Sequence, residues 1–256
     1  MNLKETKEEI FSEISQGEEI NIDDIYEALK SCCVSNAAIK ITKDILALID
    51  LTKIDTPYAS LLIFSNGLPA FSKKTTTELI KIYRLEDNNS HEIKKGVLEK
   101  IYGRKLCCVP EIELDALLIP LDGPSGKHPD YINFSMLNGM ESYPDGQTLL
   151  SFSNYLDLVI PKRYQSNYRK FAFAFECHSV YFHHNGLLHR DNHGFGYLKD
   201  WQGVLHKEMK SIRTNVVSKL TVDEFKQIKE IVRTELNFPV IKEYWEEFEG
   251  ESKFSL

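Results

Sequence analysis

Nowhere in this sequence does an apolar run approach the ~20 residues that a bilayer-spanning helix needs, so no transmembrane segment and no membrane partner are expected. The opening stretch, Met1-Asn2-Leu3-Lys4-Glu5-Thr6-Lys7-Glu8-Glu9, is charged where a secretory signal requires an apolar core, and the expectation is a cytoplasmic protein. Cysteine is scarce: five residues fall as Cys32-Cys33, Cys107-Cys108 and Cys177. None has the C-x-x-C spacing of a zinc ribbon or redox motif, and an odd count makes a poor disulfide framework, so reduced thiols are expected. Glycine-rich phosphate loops are also missing, which leaves His189-Arg190-Asp191 without the companions a kinase catalytic loop needs. Positive charge is not in excess. The formal net charge of -7 speaks against a broad phosphate-binding surface.

Apolar material is plentiful. A hydrophobic fraction of 42%, with 14 Phe and 12 Tyr, supports a core of ordinary density and argues against disorder. Ile10, Phe11 and Ile14 give a first short helical stripe. Asn21 is placed to cap a second helix bearing Ile22, Ile25, Tyr26 and Leu29, with Ile20 and Ile25 as its hydrophobic staple. The spacing of Ile39, Thr42, Ile45, Leu46 and Ile49 predicts a third helix opening at Ser35 or Asn36. After Pro57 the pattern changes. Ala59 to Phe64 reads as a strand leading into an Asn66-Gly67 hairpin turn. Thr75 with Glu78 forms a capping box ahead of Leu79, Ile80 and Tyr83, and Ile93, Val97, Leu98 and Ile101 mark a further helix.

Strands are expected from Ile112 to Ile119, Tyr131 to Leu137, Leu156 to Ile160 and Phe171 to Phe182, with a turn at Tyr143-Pro144-Asp145-Gly146. In the last of these strands, Phe171, Phe173 and Phe175 alternate with alanine. Thr221 to Glu224 caps a C-terminal helix, Pro239 stops it, and a short last helix follows. The expected class is therefore α+β: a helical N-terminal region, a mostly antiparallel sheet through the centre and toward the C-terminus, and two C-terminal helices. The loop-like segment 120–130 is the natural boundary between a region 1–120 and a β-rich region 131–256, unless the whole is one domain.

Two segments invite a functional reading. Lys162 to Lys170 interleaves cations with Tyr164 and Tyr168, as a single-strand nucleic-acid binder does, and this keeps nucleic acid open as a partner. More distinctive are the histidines. Of eight in the chain, five lie between His178 and His193. A metal-dependent hydrolase, a nuclease or phosphoesterase, would draw catalytic groups from Glu176, His189, Asp191 and His193. Its zinc or other divalent ion would be held by His184, His189, Asp191 and His193. Residues 189, 191 and 193 share one face of an extended chain, but their rise of ~6.6 Å per pair requires a bend before they can share one ion.

A competing reading comes from an internal echo. Asn185-Gly186-Leu187-Leu188-His189-Arg190-Asp191 returns as Gln202-Gly203-Val204-Leu205-His206-Lys207-Glu208, each copy preceded by aromatics, Tyr181 and Phe182 in the first and Tyr197 and Trp201 in the second. Over residues 181–210 this resembles the MORN-like hairpin repeats, in which an aromatic strand turns at Asn-Gly and leaves as Leu-His-Arg-Glu-Asp-Gly-Pro-Ala. The departures are an extra residue, His193, and Phe195-Gly196 where Pro-Ala is expected. The resemblance implies β-hairpins whose aromatics pack on the next hairpin, a structural histidine and no catalytic residue. On this reading the protein is a binding or regulatory protein that presents a hairpin surface, with Tyr181, Phe182, Tyr197 and Trp201, to a protein partner. No cofactor is then expected.

Overall fold

The computed structural model describes residues 7, 9–14, 19–35, 38–65, 68–86, 90–113, 116–121, 126–152 and 156–184, with only the backbone described over 179–184. Within these residues the architecture is α+β. A seven-stranded sheet runs in the order β2 (Val34–Ser35), β5 (Ala70–Ser72), β4 (Ser60–Phe64), β3 (Ile45–Asp50), β8 (Tyr131–Asn133), β7 (Leu117–Pro120), β6 (Glu111–Ile112). A four-stranded sheet runs β1 (Ile20–Asn21), β11 (Leu156–Ile160), β10 (Gln147–Phe152), β9 (Gly139–Tyr143). Pairing is antiparallel throughout except for β2 with β5 and β1 with β11.

The larger sheet is covered on both sides, and alternation along its strands, broken at the β3 register shift, sorts the side chains. Leu62, Leu118 and Tyr131 face α2 (Thr76–Glu86), where they meet its Leu79 and Ile80. Leu61, Ile63, Leu117, Ile119 and Ile132 face the opposite way, into a core shared with Leu150, Leu158 and Ile160 of the smaller sheet. Phe171, Ala174 and Phe175 of α4 (Tyr164–His184) close that core. Helix α3 (Ser90–Tyr102) adds Val97 and Leu98, and Ile10, Phe11 and Ile14 pack on its margin from the helical residues 9–14. The segment 121–130 connects β7 to β8, which are neighbours in the larger sheet.

Several expected elements are present. Asn21 Oδ1 accepts the Asp23 amide at 3.1 Å and opens a 3-10 turn that passes into α1 (Ile25–Leu29). β4 and β5 form the hairpin expected around Asn66-Gly67, the turn residues themselves lying outside the described set. The turn at Pro144–Gly146 joins β9 to β10, with Asp145 and Gly146 both left-handed (φ 60° and 75°), a conformation aspartate tolerates and glycine adopts freely.

The Thr75–Glu78 capping box is complete: the Thr75 amide donates to Glu78 Oε2 at 2.8 Å, and the Glu78 amide donates to Thr75 Oγ1 at 3.2 Å. Thr75→Ala is expected to lower stability by about 1 kcal/mol. Urea unfolding checks this, because the midpoint should fall at unchanged slope; an unmoved midpoint would mean that the cap contributes nothing.

Two expected elements are corrected. The helix predicted from 35 to 49 ends in a strand instead, β3 (Ile45–Asp50). Its run Ile-Leu-Ala-Leu-Ile is buried on both faces, and a short continuous apolar run carries no periodicity that separates strand from helix. A register shift between Ile45 and Ala47 also turns the consecutive residues Leu46 and Ala47 into the same core, which mimics helical spacing. The strand predicted from Phe171 to Phe182 lies within α4. Its buried positions, Asn167, Phe171, Ala174, Phe175 and His178, recur at i, i+4, i+7, i+8 and i+11, one helical face. The Phe-Ala alternation coincides with this pattern over five residues and misleads. A smaller adjustment falls at 112–119, where the single expected strand is the β6–β7 hairpin, closed by the Glu113 amide donating to the Ala116 carbonyl at 2.9 Å. The predicted C-terminal helices lie outside the described residues.

Candidate functional site

A cleft opens where α2, α3 and the edge of the larger sheet meet. Across the sheet, Glu111 pairs with Leu118 on β7 and Leu118 pairs with Asn133 on β8, so Glu111, Leu118 and Tyr131 share the face turned to α2. Arg84 comes from the last turn of α2 and His91 from the first turn of α3. Both converge on the Glu111 carboxylate. Arg84 Nε lies 3.1 Å from each carboxylate oxygen and Nη2 donates to Oε1 at 2.5 Å, while His91 Nδ1 stands 2.8 Å from Oε2. The Glu111 side chain is only 3% exposed; that of Arg84 keeps 32%.

Electrostatics follow from burial and partners. Burial would raise the Glu111 carboxyl, but hydrogen bonds from His91 and Arg84 outweigh it and hold the group below the ordinary carboxylate range. Burial likewise disfavours the Arg84 cation, and its bonds to Glu111 more than compensate. The Tyr131 phenol is pushed up to about 12, first by burial and then by the Glu111 charge, so it stays a neutral hydrogen-bonding group at any ordinary pH.

Above this network lies a cavity of about 340 Å³ lined by Thr77, Ile80, Lys81, Arg84, Leu85, His91, Glu92 and Tyr131. Its lining thus combines the apolar Ile80 and Leu85 with the cations Lys81 and Arg84 from α2 and the carboxylate of Glu92 from α3. Leu85, 55% exposed, is the exposed large hydrophobic side chain among the described residues. At the rim, Thr77 Oγ1 donates to the Lys127 carbonyl at 2.9 Å and lies 3.1 Å from His128 Nδ1, fixing the 126–130 segment against α2.

No family model, curated protein or solved structure matches this chain.

The residues singled out in the sequence fall elsewhere. Glu176 sits on α4, where its Oε1 accepts the Tyr102 hydroxyl at 2.8 Å, and the Tyr102 ring tilts against Phe173 at 5.8 Å. Burial, reinforced by Glu176, pushes the neighbouring Cys177 thiol well up. His178 is buried, its Nε2 3.1 Å from the Glu113 carbonyl oxygen. Tyr181, Phe182 and His184 belong to the helical backbone of α4, while His189, Asp191, His193, Tyr197 and Trp201 lie outside the described residues. Among the described residues, no group of three or more His, Cys, Asp or Glu side chains is placed to hold a metal ion.

In the basic stretch, Lys162 Nζ donates to the Leu121 carbonyl at 2.7 Å and Lys170 Nζ reaches the same oxygen. Tyr164 and Tyr168 stack at 6.0 Å and pack against the core. Two of its cations and both aromatics are thus engaged within the fold. Arg84, His91, Glu111 and Tyr131 went unremarked in the sequence because they lie on four elements and form no short motif.

Proposed function

We propose that this chain is a binding protein that engages a protein partner through the α2–α3 cleft. The observation that carries the reading is the Glu111 network, which holds Arg84 and His91 in place beside the exposed Leu85. Side chains fixed before binding lose little freedom when a partner arrives. Arginine and tyrosine at the edge of an apolar recess are the residue types on which interface energy concentrates. The volume, about 340 Å³, is at the small end for ligand cavities and suits one or two anchoring side chains. The chemistry that fits is a peptide segment with an apolar residue on Ile80, Leu85 and Tyr131, and an acidic neighbour turned to Lys81 and Arg84.

Panning a random peptide library on the folded chain tests this. Enriched peptides are expected to pair Asp or Glu with a large apolar residue. Leu85→Asp and Lys81→Glu, both at exposed positions, should each weaken their binding roughly thirtyfold, the effect of losing about 2 kcal/mol at an interface anchor. Random enrichment, or peptides whose affinity neither substitution changes, would remove the cleft as the binding site.

A further inference from the structure

The chain leaves α3 through Gly103, left-handed at φ 62°, and reaches β6 by a short turn held at both ends. Leu106 and Val109 are buried on either side of it, and the Leu106 amide donates to Glu99 Oε1 at 3.0 Å. Between these anchors the adjacent residues Cys107 and Cys108 are both exposed, whereas Cys32, Cys33 and Cys177 are buried. Cys108 adopts φ 59°, a conformation that non-glycine residues rarely take and that concentrates at functional positions. Two exposed cations, Arg104 and Lys105, precede the pair.

We propose that Cys107–Cys108 is a reversible thiol–disulfide exchange site for a low-molecular-weight disulfide, glutathione disulfide being the type. Arg104 and Lys105 favour such an anionic reactant. One cysteine thiolate attacks a sulfur of the disulfide RS–SR, forming Cys–S–S–R as the RS–SR bond breaks, and the departing thiolate takes a proton from water. The neighbouring thiolate then attacks the cysteine sulfur of that mixed disulfide and expels the second thiol. In balance, two cysteine thiols lose two electrons and RS–SR becomes two RSH. Adjacent Cα atoms are only ~3.8 Å apart, short of the ~4.4–6.8 Å span of relaxed disulfides. The bond between the two cysteines is therefore strained and easily reduced, which makes the site reversible rather than structural.

Brief alkylation of the folded, reduced protein followed by peptide mapping provides the first test. Cys107 and Cys108 should label at least roughly a hundredfold faster than the three buried thiols, which wait for local opening. Incubation with glutathione disulfide, read by intact mass without reductant, should then add one glutathionyl group or remove two hydrogens. Either change should map to the 107–108 peptide and be reversed by excess thiol. The Cys107→Ser/Cys108→Ser variant should show neither. Adducts found instead at Cys32, Cys33 or Cys177 would overturn the proposal. So would an unreactive folded chain whose unfolded form reacts under the same conditions.

Discussion

Glu111→Ala is expected to lower the unfolding free energy by about 3 kcal/mol, because it strips the Arg84 guanidinium of its buried counter-ion and His91 of its hydrogen-bond partner at once. Breaking a buried ion pair from one side costs about 3–5 kcal/mol, and the partial exposure of Arg84 sets the lower end here, since water recovers some of the stranded charge. In a chain of this length that corresponds to roughly a 6–12 °C fall in Tm. The loss belongs to the unpaired groups rather than to the pair itself. The double variant Glu111→Leu/Arg84→Met, which removes both charges and keeps the volume, should therefore recover at least half of it.

The same site sets an acid limit. The Glu111 carboxyl lies below its ordinary value of 4.5 in the folded chain, so its contribution is fully present above that value and is lost as pH falls through the lower folded one. Glu111→Gln, with nothing to protonate, should flatten stability across that acid window. Thermal unfolding of the wild type and Glu111→Gln from neutral to acid pH decides the matter; a wild-type curve parallel to that of Glu111→Gln would mean that the carboxylate contributes nothing through its charge.

The sequence made parts of this fold legible through local chemistry. The Thr75–Glu78 box, the Pro144-Asp145-Gly146 turn and the α3 stripe each declare themselves within a few residues, because capping and left-handed backbone demand particular side chains. β3 and α4 did not, for opposite reasons. In β3, burial on both faces erased the alternation and the bulge at Ile45 supplied a false helical step. In α4, three phenylalanines placed two apart satisfied strand and helix alike, and the decisive residues were the polar Asn167 and His178 on the buried face. Only tertiary packing tells a buried asparagine from an exposed one. The cleft was illegible for a related reason: its chemistry joins Arg84, His91, Glu111 and Tyr131, which come together only after the sheet sets the register of β6, β7 and β8. Histidine density drew attention to 178–193, whereas the histidine held by a buried carboxylate is the isolated His91.

Asn133→Leu is expected to destabilise the protein by about 3–5 kcal/mol, although leucine matches the volume and the site is fully buried. The reason lies in the bulge. β3 shifts register against β4 between Ile45 and Ala47, and beside this point Asn133 Nδ2 donates to the Ile45 carbonyl at 2.9 Å and to the Lys43 carbonyl at 3.1 Å. Its Oδ1 accepts the Leu117 amide at 3.2 Å, the Ser135 amide at 3.2 Å and the Ser135 hydroxyl at 2.6 Å. One side chain thus ties β3, β7 and the turn after β8 together at the middle of the larger sheet. An apolar replacement strands at least the Ile45 carbonyl and the Leu117 amide in the interior, each at ~1–3 kcal/mol. Asn133→Ala should cost still more, because a cavity is added to the same loss. Hydrogen exchange gives the local readout: in Asn133→Leu the Leu117 amide should lose protection beyond the global change. Should Asn133→Leu instead fall within 1 kcal/mol of the wild type (the scale of an ordinary surface change), the bulge would be held by packing alone and the asparagine would not be its keystone.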